Sequence, residues 1–248
     1  MEIMGNPADR LYKILIDAKG ICNSCSYVKN VWASIFDIDE VDQEKVFLSV
    51  VQVVEHIETI KKVAMRIQSS KRDDFIKEIT GLERQIMNIK LTAQASELRD
   101  IINEKRLMSL QAIALGLDTC SQYSNIEEET LVEYKETILE LINETNDLSI
   151  NDNLKKVIIE NLNQVDIMIN EYKLYGLEGI KSAVENGYGK IMLDRQLSEE
   201  LRKDVTLKET IFKILNLFGN INTVVTFTKN VGPMLTEASE IAKNFFLN

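Results

Sequence analysis

Residues 46–67, VFLSVVQVVEHIETIKKVAMRI, contain the pattern that decides the fold. Apolar side chains recur there at alternating steps of four and three residues: Val46, Val50, Val53, Ile57, Ile60, Ala64 and Ile67. This spacing places them all on one side of an α-helix, as in a heptad seam. Phe47, Val51 and Val54 widen the apolar stripe, which favours a helix packed among several others over an isolated two-stranded coil.

The same periodicity continues towards the middle of the chain. Six further apolar side chains alternate steps of four and three: Phe75, Ile79, Leu82, Ile86, Ile89 and Ala93. We expect residues 73–122 to form either one long helix or two helices broken near residues 92–96. The stretch 107–117 is apolar on more than one side, which predicts a helix at the centre of the core.

Residues that break helices are scarce and lie where helices are expected to begin or end. The only prolines among the 248 residues are Pro7 and Pro233. Asn6 before Pro7 predicts a helix start, because Asn caps the first turn and Pro fits the first helical position. Pro233 is expected to begin the last helix. Seven of the ten glycines are predicted to end helices or to mark corners: Gly20, Gly176, Gly179, Gly187, Gly189, Gly219 and Gly232.

These patterns predict an all-α fold, an elongated bundle of about eight to ten mostly antiparallel helices. A hydrophobic fraction of 45% is sufficient for a large core, and a charged fraction of 27% is ordinary for a folded protein. We expect a single helical domain over residues 1–248. The alternative is a pair of packed sub-bundles, residues 1–147 and 148–248.

Charge and cysteine usage limit the classes of partner. A formal net charge of −10 is unfavourable for nucleic-acid binding, which needs a positive face, so no nucleic acid is expected. The one basic run, from Lys61 to Arg72, is followed by Asp73 and is interpreted as a solvated helix face. An odd number of cysteines fits a reducing compartment. Neither a secretory signal nor an apolar run of about 20 residues is recognisable, which predicts a cytoplasmic protein.

Four side chains are potential soft metal ligands: Cys22, Cys25, Cys120 and the only histidine, His56. Together they have the composition of a Cys₃His zinc site, although their spacing matches no known zinc finger. The alternative is structural, because free cysteines are commonly buried as small apolar groups. Cys22 and Cys25 also form a C-x-x-C pair, but no βαβ pattern accompanies it and a redox role is not favoured.

Three tyrosines lie among the glycines of residues 172–189, namely Tyr172, Tyr175 and Tyr188. Tyrosine is favoured at interfaces, so these side chains are candidates for a binding edge. Tyrosines also close the ends of helical bundles with their hydroxyls in water, and that structural interpretation is favoured here.

The sequence contains no catalytic constellation and no cofactor motif, so we predict a protein that is not an enzyme and that needs no cofactor. The first hypothesis is an interaction protein of a bacterial or phage cytoplasm, which binds another protein or a second copy of itself through helix faces. A composition rich in Lys, Ile, Asn and Glu favours that source. Two alternatives stay open: a membrane-active effector using residues 206–247, where phenylalanine is concentrated, and a small zinc protein.

Overall fold

The protein is all-helical, as the periodicity predicts. The structure, a computed structural model, describes residues 5–120 and 126–227, with side chains up to residue 223. Those ranges contain eleven helices and no strand, a count slightly above the predicted range. The bundle packing and antiparallel order of the helices stay predictions.

The chain divides into two compact units, residues 1–123 and 124–248. The first contains α1 Pro7–Ile21, α2 Val28–Phe36, α3 Gln43–Ala64, α4 Arg72–Asn88, α5 Ala95–Ile101 and α6 Glu104–Cys120. The second contains α7 Glu128–Asp147, α8 Asp152–Asn170, α9 Tyr172–Leu193, α10 Arg195–Leu201 and α11 Val205–Phe227. The turn at residues 147–148, considered above as a boundary, lies inside the second unit between α7 and α8.

Helix α1 begins at the Asn-Pro pair that predicted it. The Asn6 side-chain oxygen accepts from the backbone N–H of Ala8 and of Asp9, both at 3.0 Å. The Asn6 side-chain amide donates to the Asp118 carboxylate at 2.9 Å, near the end of α6. The cap therefore starts one helix and also fixes its position on another.

Helix α3 confirms the seam from which the prediction began. Six of the seven seam residues lie within α3, and all seven, including Ile67 in the following loop, are buried. The helix contacts α1, α2, α4 and α6. Phe47, in contrast, is 57% exposed, so the stripe that widens the seam reaches the surface of the unit.

The stretch 73–122 forms three helices, not the one or two predicted. The first break, at residues 89–94, lies close to the predicted position, and its backbone pairs with residues 26–29. The Val28 N–H donates to the Ala93 carbonyl and the Lys29 N–H to the Leu91 carbonyl, both at 3.0 Å. The second break follows Ile101, where the Asn103 side chain caps α6 by accepting from the Arg106 N–H at 3.1 Å.

In the second unit, α8 contacts α7 and α9, and α11 contacts α7, α9 and α10. Leu207, Ile214 and Phe218 of α11 are buried, so this part of the apolar C-terminal region belongs to a core. None of the described helices combines the length and hydropathy needed to cross a bilayer. The predicted last helix at Pro233, with Gly232, lies outside the described residues.

The glycines divide into a correct prediction and several wrong ones. Gly176 forms the predicted corner, with a φ of 58° that breaks the helical path inside α9. Gly179 forms no corner, and Gly187, Gly189 and Gly219 do not end helices, because α9 and α11 continue through them; Gly20 lies inside α1, which ends one residue later. At Gly187 the reason is tertiary: an added Cβ would stand 2.9 Å from the Phe218 ring, so the glycine permits α9 and α11 to approach.

Candidate functional site

His56 is a packing residue in this fold. It is 2% exposed on the inner side of α3, and its Nε2 lies 2.8 Å from the Pro7 carbonyl oxygen. A carbonyl can only accept, so the neutral imidazole donates this bond through Nε2. Burial, assisted by the nearby positive charge of Arg10, lowers the pKa of His56 to about 3. This Nε2–H bond therefore joins α3 to the start of α1.

The cysteines lie in different environments. Cys22 is buried at the end of α1, Cys25 is half-buried in the loop that follows, and Cys120 is exposed at the end of α6. Burial raises the thiol pKa of both Cys22 and Cys25, opposite to the lowering that activates a redox thiol. Within the described ranges no three His, Cys, Asp or Glu side chains are grouped so as to hold a metal ion. The structure thus does not assemble these cysteines and His56 into a Cys₃His set.

The three tyrosines serve mainly in packing. The Tyr172 hydroxyl accepts from the Ile126 N–H at 3.1 Å and is buried. Tyr188 is buried with its ring centroid 6.3 Å from that of Phe218, and burial raises the pKa of its hydroxyl. Tyr175 is half-buried beside the Gly176 corner. These placements favour the structural interpretation over the binding edge, although the binding prediction itself is untested.

Helix α6 presents a surface that the sequence did not predict. It contacts α1, α3 and α4, which accounts for the apolar side chains on several of its sides. Yet Met108 is 66% and Leu115 is 70% exposed, and Gln111 and Ala112 lie between them at helical spacing. Met108, Gln111, Ala112 and Leu115 form one side of the helix, at positions i, i+3, i+4 and i+7. We call these four residues the uncharged face.

The charged groups that border the uncharged face are engaged elsewhere. Lys105 pairs with Glu78 of α4 at 2.6 Å, and Asp118 accepts from Asn6 at 2.9 Å. Between Lys105 and Asp118 the only charged residue is Arg106, which is buried. The exposed side of α6 therefore presents no charge over about three turns. The surface around Met87 of α4 differs: Met87 is 65% exposed and has charged residues on both sides within four positions, Glu83 and Arg84 before it and Lys90 after it, whereas Met108 has them on one side only.

A cavity of about 540 Å³ opens beside the uncharged face, between the α3–α4 loop and the end of α6. We call it the basic cleft. Its polar lining consists of Arg66, Gln68, Ser69, Arg72, Thr119 and Cys120. Its apolar lining consists of Ile67, Phe75, Ala112, Ile113 and Gly116. Ala112 thus belongs both to the cleft and to the uncharged face.

Close packing at Gly116 shapes the apolar side of the basic cleft. A Cβ added at Gly116 would stand 2.8 Å from the nearest carbon of Ile67, so only glycine leaves room for this side chain. Ile67 follows the end of α3, and its burial draws the α3–α4 loop against α6. The loop in turn places Arg66 and Arg72 on the cleft wall.

The two arginines of the basic cleft differ in their partners. The Arg72 Nε donates to Asp73 at 2.9 Å, and its Nη1 lies 3.4 Å from the Met65 carbonyl. The Arg66 guanidinium makes no hydrogen bond or ion pair with any described residue. Cys120 approaches Arg66 through the backbone, with its Sγ 3.7 Å from the Arg66 carbonyl oxygen.

The sequence analysis predicted neither the basic cleft nor the uncharged face. The basic run was interpreted as a solvated face, and it does include Lys62, which is exposed. It also includes Arg66 and Arg72, whose position on the cleft depends on Ile67 packing over Gly116, a contact between residues far apart in sequence. The uncharged face could have been found earlier, from the gap in charge between Arg106 and Asp118. Comparison of the chain with protein-family models, with curated proteins and with solved structures gives no match.

Proposed function

We propose that this chain is a non-enzymatic interaction protein that binds another protein, or a second copy of itself, through the uncharged face of α6. The supporting observation is that Met108 and Leu115, 66% and 70% exposed, lie on one side of a helix whose residues 107–117 include no charged side chain. Isolated exposed apolar residues need no explanation, but apolar residues grouped without charge mark sites of interaction.

An amphipathic helix is the partner element that best fits this surface. Apolar side chains at positions i, i+4 and i+7 of such a helix would pack against Met108, Ala112 and Leu115. Methionine suits this role because its flexible thioether adapts to different apolar shapes. The Gln111 amide supplies a hydrogen-bonding group within the same face.

The structural context of the proposal is an antiparallel helical bundle in each unit. Short connections support it, such as residues 148–151 between α7 and α8, because short loops join antiparallel neighbours. The cytoplasm of a bacterium or phage-infected cell is the proposed location, on composition alone. No enzymatic step and no cofactor form part of the proposal.

The test compares two charge-introducing variants of the full chain. Met108→Lys combined with Leu115→Lys alters the uncharged face, and Met87→Lys alters an equally exposed methionine elsewhere in the same unit. Light scattering after size exclusion measures self-association, and affinity capture from native extract with quantitative mass spectrometry measures partners. We expect the double variant to lose an association that the wild type and Met87→Lys retain. Associations that are equal in all three proteins, or absent from the wild type, would contradict the proposal.

A further inference from the structure

The basic cleft is an electrostatic exception on this protein. The chain has a formal net charge of −10, with 39 acidic and 29 basic side chains. Two arginines line the cleft, and none of its described lining residues is acidic. Of the neighbouring carboxylates, Asp118 accepts from Asn6 and Asp73 pairs with the Arg72 Nε, which leaves Arg66 as the cleft arginine without an acidic partner among the described residues. The positive charge of Arg66 therefore favours an anion in the cleft.

The Arg66 guanidinium is the recognising group. It has no partner among the described residues, so it can present its parallel N–H groups to an incoming oxyanion. A guanidinium binds carboxylate or phosphate oxygens in a two-pronged geometry that lysine cannot match. Ser69 on the cleft wall adds a hydroxyl group that can donate to the same oxyanion, whereas the Thr119 hydroxyl donates to the Gly116 carbonyl at 2.7 Å.

The opposite lining is apolar and favours a hydrocarbon body. Phe75 and Ala112 are half-buried on the cleft wall, and the buried side chains of Ile113 and Ile67 lie beneath them. The volume of about 540 Å³ lies within the range of small-molecule sites. An inorganic anion would leave this apolar lining uncovered, whereas an aliphatic or aromatic group attached to the anion would cover it.

We propose that the basic cleft binds a small molecule with an apolar body and one anionic head group, a carboxylate or a phosphate. The head group pairs with Arg66 and the body contacts Phe75 and Ala112. This site shares Ala112 with the uncharged face, but its recognition of an anion by Arg66 does not depend on the function of that face. Each proposal can therefore fail separately.

Cys120 provides a reporter for the cleft within the unmodified full chain. Its side chain is exposed on the cleft wall, whereas Cys25, which is half-buried in the loop after α1, does not line the cleft. Iodoacetamide is neutral, so its reaction with each thiol can be followed by peptide mass spectrometry without competition for the arginines. A molecule that occupies the cleft slows alkylation of Cys120 and leaves that of Cys25 unchanged.

The experiment measures this protection with four probes: octanoate, octyl phosphate, neutral octanamide and inorganic phosphate. We expect octanoate or octyl phosphate to protect Cys120 at millimolar concentration, and whichever binds more tightly identifies the preferred head group. Octanamide and inorganic phosphate should each bind at least about tenfold more weakly, because octanamide lacks the anionic head group and inorganic phosphate lacks the apolar body.

The matched variants are Arg66→Gln and Arg84→Gln. Arg66 makes no side-chain contact that the fold requires, so its replacement should leave the helical circular dichroism unchanged while protection weakens about tenfold or more. Arg84→Gln removes the same charge from the exposed surface of α4 and should retain wild-type protection. Equal protection by octanamide, equal protection by inorganic phosphate, full protection in Arg66→Gln, or no protection by either octyl anion would overturn the proposal.

Discussion

At the residue scale, His56 makes the stability of the protein dependent on pH. Its pKa is lowered to about 3 in the folded state by burial and by Arg10, against an ordinary value of 6.5. Between these values the unfolded chain binds a proton that the folded chain does not, so stability falls as pH decreases from 6.5 towards 3. Above pH 6.5 the stabilisation is fully present. The loss attributable to His56 between pH 7 and pH 5 is about 2 kcal/mol.

Urea unfolding of the wild type and of His56→Gln at pH 7 and pH 5 checks this prediction. Glutamine can still donate to the Pro7 carbonyl but does not titrate, so the variant should lose about 2 kcal/mol less on acidification. The same decrease in unfolding free energy in both proteins would show that His56 is not the group responsible.

Gly187 and Gly189, two residues apart in α9, should respond oppositely to alanine. A Cβ at Gly187 would stand 2.9 Å from the Phe218 ring, whereas a Cβ at Gly189 would meet no atom within 4 Å. Gly187→Ala should destabilise the protein by about 1–2 kcal/mol through overpacking. Gly189→Ala should stabilise it by about 0.5–1 kcal/mol through its higher helix propensity. Thermal unfolding measures both, and a stabilising Gly187→Ala would show that the ring moves away without cost.

The contrast between Asn6 and Gly187 shows which residues can be understood from sequence. The Asn6-Pro7 start was predictable because a helix cap depends on bonds to residues 8 and 9. Gly187 was misjudged as a helix end because the reason for its glycine, the Phe218 ring, comes from another helix. A helix cap can be inferred from residues adjacent in sequence, but close packing between two distant helices cannot.

At the scale of the element, α6 tests the distinction between inner and outer leucines. Leu110 is 0% exposed and Leu115 is 70% exposed on the same helix. Leu110→Ala should lower the free energy of unfolding by about 2–5 kcal/mol, since it leaves a cavity in the core. Leu115→Ala should change it by no more than about 0.5 kcal/mol. Chemical denaturation of the two variants provides the measurement, and a large cost at Leu115 would mean that this side chain is buried in solution.

The apolar periodicity of residues 73–122 predicted that they are helical, but it did not predict that they form three separate helices. The seam spacing continues to Ala93, yet α4 ends at Asn88 because residues 91 and 93 bond to Lys29 and Val28. These bonds connect segments about sixty residues apart, and no repeat of apolar positions records them. The exposure of Met108 was likewise not predictable, because the apolar character of a residue does not show which side of a central helix remains uncovered.

At the scale of the whole molecule, residues 1–123 and 124–248 should each fold alone. Each unit has its own buried side chains, such as Trp32 in the first and Phe218 in the second, and each has the size of an ordinary domain. We expect both fragments to unfold cooperatively, with circular dichroism spectra that sum to that of the full chain. A fragment that stays unstructured in buffer would show that its core is incomplete without the other.

The function of the molecule follows from surfaces more than from the fold. An all-helical class was predictable from residues 46–67, but the same class serves many activities. The sequence suggested four candidate metal ligands, Cys22, Cys25, Cys120 and His56, but they are not grouped in the described structure. The gap in charge between Arg106 and Asp118 is a sequence signal for the uncharged face, but the exposure of its side chains and the basic cleft became visible only in the structure.

Photocrosslinking from α6 measures most directly whether another protein covers the uncharged face. A photoreactive benzoylphenylalanine is placed at Leu115 of the full chain, or at Met87 as the equally accessible control, and irradiated inside the cells that naturally produce the chain. We expect discrete adducts with one protein, or with a second copy of the chain, from position 115 and none from position 87. Identical adducts from both positions, or no adduct from position 115, would contradict a binding role for this face.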